Sequence, residues 1–162
     1  MSFGGFTLLE VMIVLGLLVI LMGIAYPPFQ RYFVNGNLRS AARDLMGDFS
    51  NQQQRAMAGD TAAGGARIHR LVLDLAANGY TLQRCTTTDS LCPSWENIQV
   101  KSFNGYGNDV ALDPAKNQTR VFDFQSRGTV TEGVIDLRNN RGSTATITAG
   151  ISGRTFVEFS MQ

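Results

Sequence analysis

A single carboxylate, Glu10, stands at the head of the most apolar stretch of this 162-residue chain. Phe6 lies four residues before it, and an unbroken apolar run from Val11 to Ala25 follows. A charge inside a membrane segment costs about 2.5–3.5 kcal/mol, so such a carboxylate is read as functional. One local partner is the positive N-terminal end of its own helix. Cys85 and Cys92 enclose six residues and offer either a disulfide or a redox or metal pair. His69, the one histidine, has no nucleophile to pair with and no HExxH spacing. Asp109 and Asp113, with Asn108, supply hard oxygens of the kind a loose calcium loop uses, although loop acids are usually solvated. Arg127, Arg138, Arg141 and Arg154 lie in turns or at strand ends, and if they converged they would bind phosphate with a steep salt dependence. This inventory predicts no catalytic residue, no metal and no cofactor.

The elements that would position these groups follow from periodicity. Phe6 to Tyr26 is a window of 21 residues, which as a helix at ~1.5 Å per residue reaches about 30 Å, the thickness of a bilayer core. Pro27 and Pro28 come next and predict a helix kink. A second helical stripe, from Phe33 through Leu38, Ala41, Ala42, Leu45 and Met46 to Phe49, recurs at three- and four-residue steps. Asn35-Gly36-Asn37 interrupts it as a second candidate kink, and Arg39, Arg43, Asp44 and Asp48 decorate the other faces. The helix is expected to reach Ala58, with Gly59 ending it and an Ala/Gly-rich loop running to Gly65.

Strands are expected beyond that loop: 68–75, 80–84, 98–103, 119–124, 128–131, 134–138, 144–148 and 155–160. Turns are expected at Asn78-Gly79, Asn104-Gly105, Asn139 to Gly142, and Ser152-Gly153. The fold class is therefore α+β, with the stripe of the helix packed on a β-rich domain.

The opening residues, Gly4-Gly5-Phe6-Thr7-Leu8-Leu9-Glu10 and the apolar run behind them, closely resemble the class III signal of type IV pilins and type II secretion pseudopilins. The layout of helix and strands resembles the pilin fold. Phe122-Asp123-Phe124, Gly128, the aliphatic strands around Ile135, Leu137 and Ile147, and Gly153-Arg154 resemble the H-type pseudopilin and FimT/FimU-like minor pilin branch. Gln53-Arg55-Ala56 fits the end of that branch's first helix. The resemblance implies residues 1–5 as leader peptide, 6–26 as membrane-spanning and later filament-core helix, 27–58 as its amphipathic continuation, and 66–162 as an antiparallel β-rich pilin domain. It also implies cleavage by a prepilin peptidase between Gly5 and Phe6 and methylation of the new amino terminus on Phe6. Glu10 would then pair with that amine on a neighbouring subunit during filament assembly.

Three other readings of the N-terminus compete. A secretory signal peptide would use Gly23-Ile24-Ala25 as its cleavage site, but the leader lacks Lys and Arg and the run contains Glu10. A plain membrane anchor would need no intramembrane carboxylate. A buried helix of a soluble protein would not be this long. The resemblance places the globular domain in the periplasm, on a single-pass anchor in the bacterial inner membrane. The positive-inside rule taken alone pulls Arg31, Arg39 and Arg43 the other way.

A net charge of +1 gives no global signal for nucleic acid, although twelve of the fourteen basic residues are arginine, the better phosphate fork. The resemblance implies other pilins or pseudopilins, the prepilin peptidase and the inner-membrane assembly platform as partners. The implied function is a minor pilin or pseudopilin that primes or caps a type IV pilus or a type II secretion pseudopilus. The alternative is a DNA-binding minor pilin of a competence pilus. In that group a Gly-Arg-x-Arg pattern binds DNA, where this chain has Gly153-Arg154-Thr155-Phe156, with one arginine instead of two. For an exported chain, pairing of Cys85 with Cys92 is the usual outcome.

Overall fold

The computed structural model describes residues 7–59, 68–87, 92–117 and 120–162. The chain forms two compact units, Met1–Phe33 and Val34–Gln162. Helix α1, Leu8–Ala58, contributes its first half to one unit and its second half to the other. Its apolar part has a window of mean hydropathy 2.8, none of it buried, and is long and apolar enough to cross a membrane. The backbone remains helical through Pro27 and Pro28.

In the second unit α1 buries one stripe: Leu38, Ala41, Ala42, Leu45, Phe49 and Ala56. The three- and four-residue steps put all six on one face. The expected stripe started at Phe33, but that ring is 63% exposed and belongs to the first unit. The helix stops at Ala58 because Gly59 adopts φ +78° and returns its N–H to the Ala56 carbonyl. A glycine takes that left-handed conformation without the steric cost of a side chain. The loop expected from there to Gly65 falls on residues 60–65, outside the described residues.

Eight strands follow among the described residues: β1 (His69–Asp74), β2 (Gly79–Cys85), β3 (Trp95–Ser102), β4 (Val110–Leu112), β5 (Val121–Phe124), β6 (Gly133–Asn139), β7 (Thr144–Ala149) and β8 (Thr155–Ser160). They make two antiparallel four-stranded sheets, ordered β3-β2-β1-β5 and β4-β6-β7-β8. Alternating residues such as Leu71 and Leu73, Phe122 and Phe124, and Ile135 and Leu137 turn inward and share one core with the helix stripe. Phe49 stands at its centre, with ring centroids 5.7 Å from Phe122 and 4.6 Å from Phe124.

Two expectations about strands are corrected. Residues 128–131 do not form a strand, because Gly128 sits at φ +82° and closes a turn onto the Gln125 carbonyl, leaving only a Phe124–Val130 bridge. The three-residue β4 was missed, since a piece that short between turns shows no readable alternation. In addition, Asn104-Gly105 is part of a 3-10 turn, Phe103–Gly105, and β3 starts at Trp95 rather than Ile98. The β1–β2 loop spans 75–78, with Asp74 Oδ1 accepting from the Ala76 and Ala77 amides. Asn78, at φ +48°, uses its side chain to join the two sheets. Its Nδ2 donates to the Val110 carbonyl at 2.8 Å, and its Oδ1 accepts from the Leu112 amide at 2.9 Å.

Candidate functional site

Gly5 and Phe6 lie outside the described residues, so the site is built from Thr7 onward. Thr7 caps α1: its carbonyl accepts from the Glu10 and Val11 amides, and its Oγ1 accepts from the Glu10 amide at 3.3 Å. Thr7-Leu8-Leu9-Glu10 thus has the spacing of a capping box, with the glutamate at the third helical position. The carboxylate sits in the first turn, where the helix dipole favours a negative charge. Glu10 is exposed, beside Val11, Val14 and Leu15, which line a shallow apolar groove of about 280 Å³. The arrangement can offer one negative charge to a cation on another molecule, with the helix start held by Thr7.

The second unit grips α1 through polar residues flanking the apolar stripe. Asn35 Oδ1 accepts from Asn139 Nδ2 and from Ser143 Oγ, both at 2.9 Å, at the β6–β7 turn. Tyr106 donates its hydroxyl to Asp44. One turn later Asp48 Oδ2 accepts from Tyr80 at 2.5 Å and pairs with Lys101 Nζ at 2.6 Å. Burial, then the Asp48 partner, push the Tyr80 phenol well above its ordinary range. Burial, then Asp44, push Tyr106 from 10.0 up to about 12. Both phenols are therefore held as neutral donors. In the sequence Asp44 and Asp48 have the look of surface decoration. Their four-residue spacing beside the apolar stripe was the available signal, but their aromatic partners lie far along the chain.

Gln53 holds the other end of the grip. Its Nε2 donates to the Gly128 carbonyl at 2.8 Å and lies near the Ser152 carbonyl at 3.5 Å. Gly153, at φ +76°, packs so closely on this amide that a Cβ there would overlap it. Gln53 and Gly153, both in segments that resemble the H-type branch, are therefore packing partners. His69 is fully buried in β1, with Nδ1 2.9 Å from Gln52 Oε1. An amide oxygen only accepts, so Nδ1 carries the proton there. No buried side-chain N or O among the described residues lacks a partner.

The four arginines do not converge. Arg127 lies in the 125–128 turn and Arg154 directly follows the 150–153 turn, two turns that meet at Gln53. Arg138 and Arg141 lie at the opposite end of the second sheet, because Arg138 pairs with Thr144 while Thr155 pairs with Ala149. Five strand steps at ~3.4 Å separate the two ends by about 17 Å. Asp109 is engaged by Asn140 Nδ2 at 2.7 Å and Asp113 by the Ala115 amide at 3.0 Å. No group of three or more His, Cys, Asp or Glu among the described residues could hold a metal ion.

Cys85 and Cys92 form a disulfide with Cα atoms 5.8 Å apart, tying the end of β2 to the segment entering β3. Beyond it, the Arg70 guanidinium lies 3.8 Å over the Trp95 ring, while its Nε meets Asp123 Oδ1 at 2.6 Å. The bridge thus anchors the segment that delivers Trp95 to the outer face of the first sheet.

Residues 1–26 match the family model of the prokaryotic N-terminal methylation motif. No curated protein matches the chain. Among solved structures, the fold is similar to that of the minor pseudopilin EpsH from the type 2 secretion system of Vibrio cholerae. The TM-score is 0.58 at 13% identity, covering 76% of this chain and 97% of that one. At that identity the likeness is one of fold.

Proposed function

We propose that this pilin-like chain, a prokaryotic N-terminal methylation motif joined to a pilin-like α+β fold, is a minor pseudopilin or minor pilin that primes or caps a type IV pilus or a type II secretion pseudopilus. The observation that carries the reading is Glu10 itself, exposed at the capped start of a helix whose next fifteen residues carry no charge. A buried position for that carboxylate requires a cation from elsewhere. Cleavage before Phe6 would create an amine, and a neighbouring subunit could then present it to Glu10. The apolar helix would hold the chain as a single-pass protein of the inner membrane, with the β-rich unit in the periplasm. It would then pack among the helices of other pilin-like subunits delivered through the assembly platform. Pro27 and Pro28 remove backbone donors where the apolar run ends, and we place the helix kink there.

The test is Glu10→Ala in the full-length chain, followed through processing and assembly. The expected result is a normally cleaved protein that stays in the membrane fraction and is depleted from sheared filaments. Equal incorporation of the variant and the parent would overturn the role of Glu10. Arg127 and Arg154 belong to the two turns that meet at Gln53, whereas Arg138 and Arg141 lie at the other end of the second sheet, and this separation lends no support to the DNA-binding alternative.

A further inference from the structure

Just past the apolar run, α1 carries four exposed aromatic side chains: Tyr26, Phe29, Tyr32 and Phe33, each more than 60% accessible. At 100° per residue they occupy one arc of about 120° on the helix. Arg31 and Gln30 lie outside that arc, so the segment has an aromatic face and a polar one. The Tyr32 and Phe33 rings meet edge-on with centroids 6.1 Å apart, and Pro28, Phe29 and Tyr32 line an apolar hollow of about 300 Å³.

The position of this face along the chain identifies its occupant. Eighteen residues from Leu8 to Ala25, at ~1.5 Å each, cover about 27 Å and nearly fill the ~30 Å bilayer core. The next turn therefore emerges at the level of the lipid headgroups, where tyrosine rings concentrate because one end is apolar and the other wet. A spanning helix is tilted on average, so one side of its emerging turns leans on the membrane surface. A one-sided aromatic stripe with a cation outside it is the pattern that fits such a lean.

We propose that Tyr26, Phe29, Tyr32 and Phe33 form a lipid-facing interfacial anchor that fixes the depth and lean of the helix before assembly, with Arg31 turned toward the headgroups. This rests on the membrane-anchored reading above. In the filament the same face would leave lipid, so extraction from the membrane has to break this contact.

The experiment uses the full chain in phosphatidylcholine vesicles whose acyl chains are brominated either near the headgroup or near the chain end. Trp95→Phe removes the native indole, and two reporters are built on that background, Leu17→Trp in the apolar run and Tyr32→Trp in the aromatic face. The expected result is that Tyr32→Trp loses more emission to the shallow bromine and Leu17→Trp more to the deep one. If Leu17→Trp is quenched and Tyr32→Trp emits as in water, the interfacial anchor is wrong and membrane anchoring stands. If neither is quenched, both readings fall. Quenching of Tyr32→Trp by the deep label above the shallow one overturns the assigned depth.

Discussion

Replacing Gly153 with alanine tests whether the Gly153-Arg154 turn is a packing device for the helix. The residue sits at φ +76°, where an L side chain costs about 1–2 kcal/mol. Its new Cβ would also overlap the Gln53 amide and push it from the Gly128 carbonyl. Losing that hydrogen bond adds about 0.5–1.5 kcal/mol. The sum is about 1.5–3.5 kcal/mol, of which only the backbone part, about 1–2 kcal/mol, remains once Gln53 is already alanine. The assay is urea unfolding of the full chain in detergent micelles, read through Trp95, the single tryptophan. Gly153→Ala should be less costly in the Gln53→Ala background than in the parent, the shortfall measuring the clash. Equal costs in both backgrounds would refute the packing argument, and a neutral Gly153→Ala would refute the conformational one as well.

Phe49→Ala removes the ring that meets Phe122 and Phe124 in the shared core and should cost about 3–5 kcal/mol in the same unfolding assay. Replacing both Cys85 and Cys92 with serine should cost about 2–3 kcal/mol, because the closed loop is short, and should abolish the response to reductant. Tyr80 and Tyr106 have folded pKa values raised above the ordinary 10.0, so the folded state keeps protons that the unfolded chain has released. Their stabilisation is fully present below pH 10 and declines as pH rises toward about 12, the folded value of Tyr106. Tyr106→Phe should flatten part of that alkaline decline in urea midpoints, and an unchanged slope would show that the Asp44 contact is not carrying it.

The helix, its end at Ala58, and most of the strands were legible because each rests on a local signal: a three- and four-residue apolar stripe, a terminal glycine, or alternation between turn residues. The N-terminal signal was legible for the same reason, being contiguous. The arrangement into two sheets was not, since strand order depends on pairings such as Arg70 with both Gln83 and Asp123 that no short window contains. The polar grip on the helix was hidden by distance as well. Asp44 and Tyr106 are 62 positions apart, and Asn35 and Ser143 are 108 apart. The cap at Thr7 also rests on a local signal, the Thr-x-x-Glu spacing that ends at Glu10. Asn35-Gly36-Asn37 carries the composition of an interruption, yet α1 runs unbroken through it and the Asn35 side chain is spent on the β6–β7 turn.

The amide of Asn78 has a bearing on solubility. Strand β4 is the margin of its sheet, and a bare margin presents backbone donors and acceptors that recruit strands from other molecules. Asn78 occupies the Val110 carbonyl and the Leu112 amide, alternate groups on that strand. Beyond the end of β4, Asn117 does the same for β6, giving its Nδ2 to the Asp136 carbonyl and receiving the Asp136 amide on Oδ1, both at 2.8 Å. Each asparagine acts as a one-residue stopper on a ladder that could otherwise keep growing. If the chain is anchored and assembled as proposed above, these two caps would oppose β-aggregation at this margin and leave the helix as the surface through which subunits join.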